Sequence, residues 1–103
     1  MKSFLITSAV ASLLLASGLA QAKPDPLQVR SWAASCFNCH GTDGRAEAPA
    51  RSGLAGLNKD DMYEKLLNYK SGAEPAIVMH QLTKGYSDEQ LEAIASWFAA
   101  QKK

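Results

Sequence analysis

Three side chains able to hold a metal-containing cofactor lie within the five residues Cys36-Phe37-Asn38-Cys39-His40. Cys36 and Cys39 are the only cysteines of the chain. Two thiols three positions apart lie on one face of a helical turn, where both can add to the two vinyl groups of one haem. The histidine that follows can then bind the iron through its imidazole. The motif predicts one covalently attached haem c, with His40 as an axial ligand.

Two other uses of paired cysteines fit the sequence less well. A redox-active C-x-x-C disulfide normally lies between a strand and a helix of a βαβ unit, and the chain has no strand pattern. A zinc site would need two further ligands, but His80 is the only other histidine and there is no second cysteine pair. Covalent haem is the interpretation that uses all three side chains.

The first 22 residues have the features of a cleaved export signal. Lys2 supplies a positive n-region, residues 4–19 are mostly apolar, and a small-x-small signal peptidase site ends at Ala22. A transmembrane anchor is the alternative, but the apolar run is short and no polybasic stop-transfer segment follows it. We expect cleavage after Ala22, a periplasmic protein and no membrane span after cleavage.

Residues 23–103 are expected to form a single mono-haem domain. The chain has 11 Lys and Arg against 10 Asp and Glu, so removal of Lys2 leaves a formally neutral polypeptide. We therefore expect no nucleic-acid partner. A chain this short buries only a thin core, and a buried haem would supply much of the apolar surface that it lacks.

The first and last helices are predicted from their start signals and apolar stripes. Asp25 can cap the first helix with Pro26 at its first position, and Ser87 with Gln90 forms a capping box for the last. Each helix carries one apolar stripe: Val29, Trp32, Ala33 and Cys36 in the first, and Leu91, Ile94, Ala95 and Phe98 in the last. We expect these two helices to pack against each other.

A long loop and two more helices are predicted between them. Residues 41–58 show no helical stripe and are interpreted as a loop. Asn58 then caps a helix that ends at Gly72, and a shorter helix is expected over residues 76–84. The chain is therefore predicted to be all-α.

The loop contains a candidate second-shell partner for the proximal histidine. Pro49 can present its backbone carbonyl, or a neighbour's, to the free ring nitrogen of His40, which would fix the tautomer of the ligand. An ordinary turn proline is the alternative.

The second axial ligand has two candidates, Met79 and His80. If residues 76–84 are helical, Met79 lies within about 100° of Val78 and Leu82, whereas His80 points toward solvent. Met79 is the predicted ligand. Ligation by histidine and methionine raises the reduction potential relative to two histidines, and a filled coordination sphere favours electron transfer over catalysis. A haem enzyme or gas sensor would instead need an open sixth site.

These features together resemble the class I cytochromes c over nearly all of residues 23–103. The resemblance rests on the motif after a first helix, the loop proline, the late methionine and a last helix with paired aromatics. It implies a small all-α fold in which the N- and C-terminal helices cross, with helices and a long loop wrapped around one haem c. It also implies that His40 and Met79 are axial, that Pro49 supplies the carbonyl for His40, and that two tryptophans lie at the crossing, Trp32 and Trp97.

The second half is similar to the cytochrome subunit of flavocytochrome c sulfide dehydrogenase. The similar segments are Tyr69-Lys70-Ser71-Gly72, Ile77-Val78-Met79, Lys84-Gly85-Tyr86-Ser87 and Trp97-Phe98. This similarity implies an FAD-containing flavoprotein partner that oxidises sulfide and passes electrons to the haem, here in a single-haem version. Related segments occur in cytochromes of the c4, c5 and c553 types, so a free periplasmic electron shuttle is the alternative.

Further residues are candidates for the surroundings of the haem. Pro49, Arg51 and Tyr69 are predicted to lie in its environment. The candidates to bind the propionates are Arg51, Tyr69 and Lys70, and an ordinary surface or core position is the alternative for each. A shuttle would often steer by surface charge. Four lysines are candidates for a basic rim or for a solvated face: Lys59, Lys65, Lys70 and Lys84.

Overall fold

The structure is a computed structural model that describes residues 22–47 and 52–103. Within those ranges the chain forms helices and turns and no strand, so the predicted all-α class is confirmed. The helices are α1 (Pro26–Ala33), α2 (Phe37–His40), α3 (Lys59–Ser71), α4 (Met79–Thr83) and α5 (Asp88–Ala99). The predicted signal, apart from Ala22, and both Pro49 and Arg51 lie outside the described residues. None of the helices in these ranges has both the length and the hydropathy of a membrane span.

The first helix leads directly into the cysteine motif. Asp25 caps α1 by accepting from the N–H of Leu27 at 3.4 Å, and Pro26 is its first residue, as predicted. A 3-10 turn over Ala34–Cys36 keeps helical backbone angles and joins α1 to α2. Cys36 and the residues of α2 are therefore positioned by one nearly continuous helical segment.

The two middle helices differ in how well their limits could be predicted. The Asn58 side chain caps α3 by accepting from the N–H groups of Asp60 and Asp61, and Gly72 ends the helix in the left-handed conformation, as expected. The shorter helix begins at Met79 and not at residue 76, so its predicted start is wrong. The β-branched residues just before Met79 have low helix propensity, and Val78 lies outside helical geometry at φ −136°.

The last helix holds the core together. Ser87 and Gln90 form the predicted capping box of α5, which packs against both α1 and α3. The buried core cluster consists of Ala33, Met62, Ile94, Ala95 and Phe98. Trp32 and Trp97 are half-buried and pack against this cluster, so the terminal helices meet as expected.

Two alanines of this cluster lie where a larger side chain should destabilise the protein. Ala33 in α1 and Ala95 in α5 are both fully buried, so there is no space for a larger side chain. Ala95→Leu should lower the free energy of unfolding by about 1–3 kcal/mol through overpacking, measured by guanidinium chloride titration. Ala100→Leu, at the exposed end of α5, is the control and should change it by less than about 0.5 kcal/mol. Equal effects of the two variants would contradict tight packing between these helices.

Candidate haem site

A cavity of about 500 Å³ is enclosed by the cysteine segment, the loop that leads to α3, and helices α3, α4 and α5. Its volume lies within the range of about 300–1,000 Å³ that is typical of small-molecule and cofactor sites. Cys36, Cys39 and His40 line it, and so do Met79 and Tyr69. The structure thus brings together at one cavity the predicted attachment residues and predicted axial ligands, which are separated by up to 43 positions in the chain.

The ring of His40 is held in one tautomer by a backbone carbonyl. His40 Nδ1 lies 2.7 Å from the carbonyl oxygen of Ser52. A carbonyl can only accept, so Nδ1 carries the proton and donates it, which leaves the lone pair of Nε2 free to bind a metal. A donated hydrogen bond of this kind also makes a histidine ligand more basic.

The acceptor lies in the predicted loop, three residues after Pro49. Among the described residues the partner of His40 is Ser52, while Pro49 lies outside them. The sequence indicated the correct loop, but any residue can supply a backbone carbonyl, so no residue type marks Ser52 for this role.

The turn after the motif brings that loop to His40. Gly41 has φ +86° and ψ 158°, a conformation that is essentially restricted to glycine. A Cβ atom on Gly41 would lie 1.9 Å from the carbonyl oxygen of Arg45. Three residues later the carbonyl of Gly44 accepts from the N–H groups of Leu54 (2.8 Å) and Ala55 (3.1 Å). These contacts fix the segment that contains the Ser52 carbonyl beside the motif.

The two thiols differ in environment. Cys36 is half-buried and Cys39 is exposed. Burial raises the pKa of the Cys36 thiol, and the nearby charge of Cys39 raises it further.

The two candidates for the second axial ligand, Met79 and His80, differ in their position relative to the cavity. Met79 lines the cavity and His80 does not. His80 is nevertheless half-buried, and its Nδ1 is buried without a hydrogen-bond partner, so the expectation that it points to solvent is wrong. The predicted orientation assumed a helix from residue 76, but α4 begins at Met79 and His80 lies in its first turn.

Sequence reasoning missed several polar side chains of the cavity wall. Ser35, Thr83 and Tyr86 line the cavity, and Thr83 is only 1% exposed. Serine, threonine and tyrosine occur in too many settings for their type alone to have identified them. The propionate candidate Lys70 instead pairs with Asp88 at 2.7 Å.

The lysines proposed as a basic rim are mostly neutralised. Three of the four make ion pairs with carboxylates: Lys59 with Glu92 at 2.8 Å, Lys65 with Glu74 at 3.0 Å, and Lys70 with Asp88 at 2.7 Å. In the part of the chain that the structure describes, Lys84 has no such pair. These residues do not form an uncompensated positive surface.

Comparison with known proteins identifies the family. No family model matches the chain. Cytochrome c4 of Pseudomonas aeruginosa is 37% identical over 94 residues, which cover 88% of this chain and 47% of that protein. Cytochrome c-553 of Nitratidesulfovibrio vulgaris is 36% identical over 69 residues, which cover 63% of this chain and 68% of that protein. The chain belongs to the class I cytochromes c.

A further relative is named as a subunit of an enzyme. The cytochrome subunit of sulfide dehydrogenase from Chlorobaculum tepidum is 34% identical over 64 residues, which cover 62% of this cytochrome and 57% of that subunit.

Membership in this family implies covalently bound haem c, and the residues of the cavity fit such a group. The cytochrome has two free thiols and a histidine with an available Nε2 at one largely apolar cavity. It spans about half the length of the cytochrome c4 relatives that it matches.

Gly41 lies so close to the Arg45 carbonyl that a substitution there should destabilise the protein by more than backbone strain alone. Gly41→Ala should lower the free energy of unfolding of the haem-loaded protein by clearly more than about 1–2 kcal/mol, because the new Cβ atom would collide with the Arg45 carbonyl. Gly72→Ala is the matched control: Gly72 also has positive φ, but a Cβ atom there meets nothing within 4 Å. Guanidinium chloride unfolding measures both, and equal losses would show that the contact with Arg45 is unimportant.

Proposed function

We propose that the chain is a periplasmic electron-transfer protein with one haem c, attached through Cys36 and Cys39 and ligated by His40 and Met79. One observation carries this proposal: two free thiols, a tautomer-fixed histidine and a methionine line the same cavity. The haem would supply an iron that cycles between ferric and ferrous states. We place this single-haem domain at residues 23–103, with residues 1–22 as a signal cleaved after Ala22.

The protein's own residues have distinct tasks in this proposal. The two thiols would hold the haem, and the Ser52 carbonyl fixes the tautomer of His40 so that Nε2 is free to bind its iron. The apolar side chains of the cavity exclude water, which lowers the local dielectric and tunes the potential. The thioether of Met79 would supply a soft donor to the iron, and such a donor favours the reduced state. We include Tyr69, which lines the cavity, and Pro49 and Arg51 in the haem environment.

The assignment of Met79 makes a direct spectroscopic prediction. Met79→Ala should abolish the methionine-to-iron charge-transfer band and lower the reduction potential, because the soft donor is lost. Absorbance spectroscopy and redox titration measure the two effects. The control, His80→Ala, should leave both nearly unchanged, since His80 does not line the cavity.

The opposite pattern would reverse the assignment. Loss of the low-spin spectrum in His80→Ala, with the charge-transfer band retained in Met79→Ala, would make His80 the ligand. Carbon monoxide binding by the unmodified reduced protein would favour an open sixth site and hence a sensor or enzyme.

For the partner, we propose an FAD-containing flavoprotein, as in a sulfide dehydrogenase that delivers electrons to the haem. A relative named as the cytochrome subunit of such an enzyme supports this. Apolar side chains beside Met79 are exposed, with Ile77 fully accessible and Val78 48% accessible. Because the nearby lysines are mostly paired with carboxylates, apolar contact rather than charge would dominate docking.

A free electron shuttle is the second candidate. Relatives named cytochrome c4 and cytochrome c-553 support it, and a shuttle would visit several partners briefly. Purification of the untagged protein from its native source distinguishes the two: co-elution with an FAD-containing chain supports the subunit, and a haem protein that elutes alone supports the shuttle.

The docking mode predicts the response of the co-eluting pair to salt and to substitution. If apolar contact dominates docking, the dissociation constant of the pair should change by less than about threefold when ionic strength rises from about 0.05 to 0.5 M. Ile77→Ser should weaken binding, because it removes exposed apolar surface, while Lys84→Ala should have little effect. Titration by calorimetry measures these constants. Strong salt dependence with a large effect of Lys84→Ala would indicate charge-steered docking instead.

A further inference from the structure

A chain of hydrogen bonds joins the helix of Met79 to the segment that carries the cysteines. The hydroxyl of Thr83 donates to the carbonyl of Met79 at 2.8 Å, and the N–H of Tyr86 donates to the carbonyl of Thr83 at 3.2 Å. The hydroxyl of Tyr86 lies 2.6 Å from Ser35 Oγ, one residue before Cys36. The last of these bonds connects residues 51 positions apart.

The protons of the two hydroxyl groups can be assigned from the distances. Ser35 donates to the Trp32 carbonyl at 3.0 Å, which occupies its single proton. Tyr86 therefore donates to Ser35 Oγ over the short 2.6 Å distance, in preference to the Trp32 carbonyl at 3.3 Å. Both side chains line the cavity, and the ring of Tyr86 packs against the core cluster. The bond is thus part of the cavity wall.

Helix α4 packs against α3, but few local interactions stabilise its two ends. It has five residues, its N-cap Val78 makes no side-chain capping bond, and the preceding Ile77 is fully exposed. A helix this short is not stable by itself and depends on tertiary contacts. The link through Tyr86 ties the C-terminal end of α4 to the cysteine segment.

We propose that Tyr86 and Ser35 are positioning residues for the axial methionine: their hydrogen bond holds α4 against the cysteine segment and so keeps the Met79 thioether on the iron. This inference rests on the proposed function, because it presupposes iron bound between His40 and Met79. The two hydroxyl groups act through α4 and need no contact with the iron.

The test measures how easily an added ligand displaces the methionine. Imidazole is titrated into the ferric, haem-loaded protein, and loss of the methionine-to-iron charge-transfer band is followed. Tyr86→Phe retains the ring and removes only the hydroxyl, so the apparent dissociation constant for imidazole should fall about fivefold, the equivalent of one hydrogen bond of about 1 kcal/mol. Ser35→Ala should give the same fall.

Three further variants make the result specific. The effect of the double variant Tyr86→Phe with Ser35→Ala should be smaller than the sum of the two single effects, because both single variants remove the same hydrogen bond. Ser35→Thr retains a hydroxyl and should restore the wild-type constant. Tyr63→Phe, which removes a tyrosine hydroxyl away from the cavity lining, should leave imidazole binding unchanged.

The experiment distinguishes failure of this inference from failure of the proposed Met79 ligation. If the wild-type protein shows the charge-transfer band but Tyr86→Phe and Ser35→Ala bind imidazole as wild type does, this inference is overturned while Met79 ligation stands. Lower unfolding free energy in those variants, with unchanged imidazole binding, overturns it equally, since the role would then be structural only. If the wild-type protein lacks the band, both Met79 ligation and this inference are overturned.

Discussion

The hydrogen bond from His40 Nδ1 to the carbonyl of Ser52 is the constraint on which the site depends. It selects the tautomer in which Nε2 is free, and it can form only if the loop returns to the motif. That return is made by the glycine turn after His40, where Gly41 adopts a conformation closed to other residues and the Gly44 carbonyl binds the loop backbone. The chemistry of one imidazole therefore depends on backbone geometry up to twelve residues away.

The rest of the fold supports a cavity beside a small buried core. The nearly continuous segment from α1 to α2 packs against α5 through small residues, with Ala33 and Ala95 fully buried. Helices α3 and α4 contribute apolar side chains to the walls of the cavity. A small chain buries a limited share of its surface, so a bound haem and the polypeptide would complete one core together.

Local signals allowed much of the fold to be predicted from the sequence. The caps at Asp25, Asn58 and Ser87 are short-range hydrogen bonds that residue type determines, and all three form. The predicted start of α4 and the predicted orientation of His80 are both wrong, because the orientation depends on a helix from residue 76 and the β-branched residues before Met79 remain outside the helix. The Ser52 acceptor and the Tyr86 to Ser35 bond depend on tertiary approach, which periodicity and motif spacing do not encode.

The most direct test of the central claim is a crystal structure of the native, haem-loaded protein. We expect one haem in the cavity, thioether bonds to Cys36 and Cys39, and iron bound by His40 Nε2 and the Met79 sulfur, with Nδ1 still donating to the Ser52 carbonyl. Iron bound by His80, or a haem outside this cavity, would contradict it.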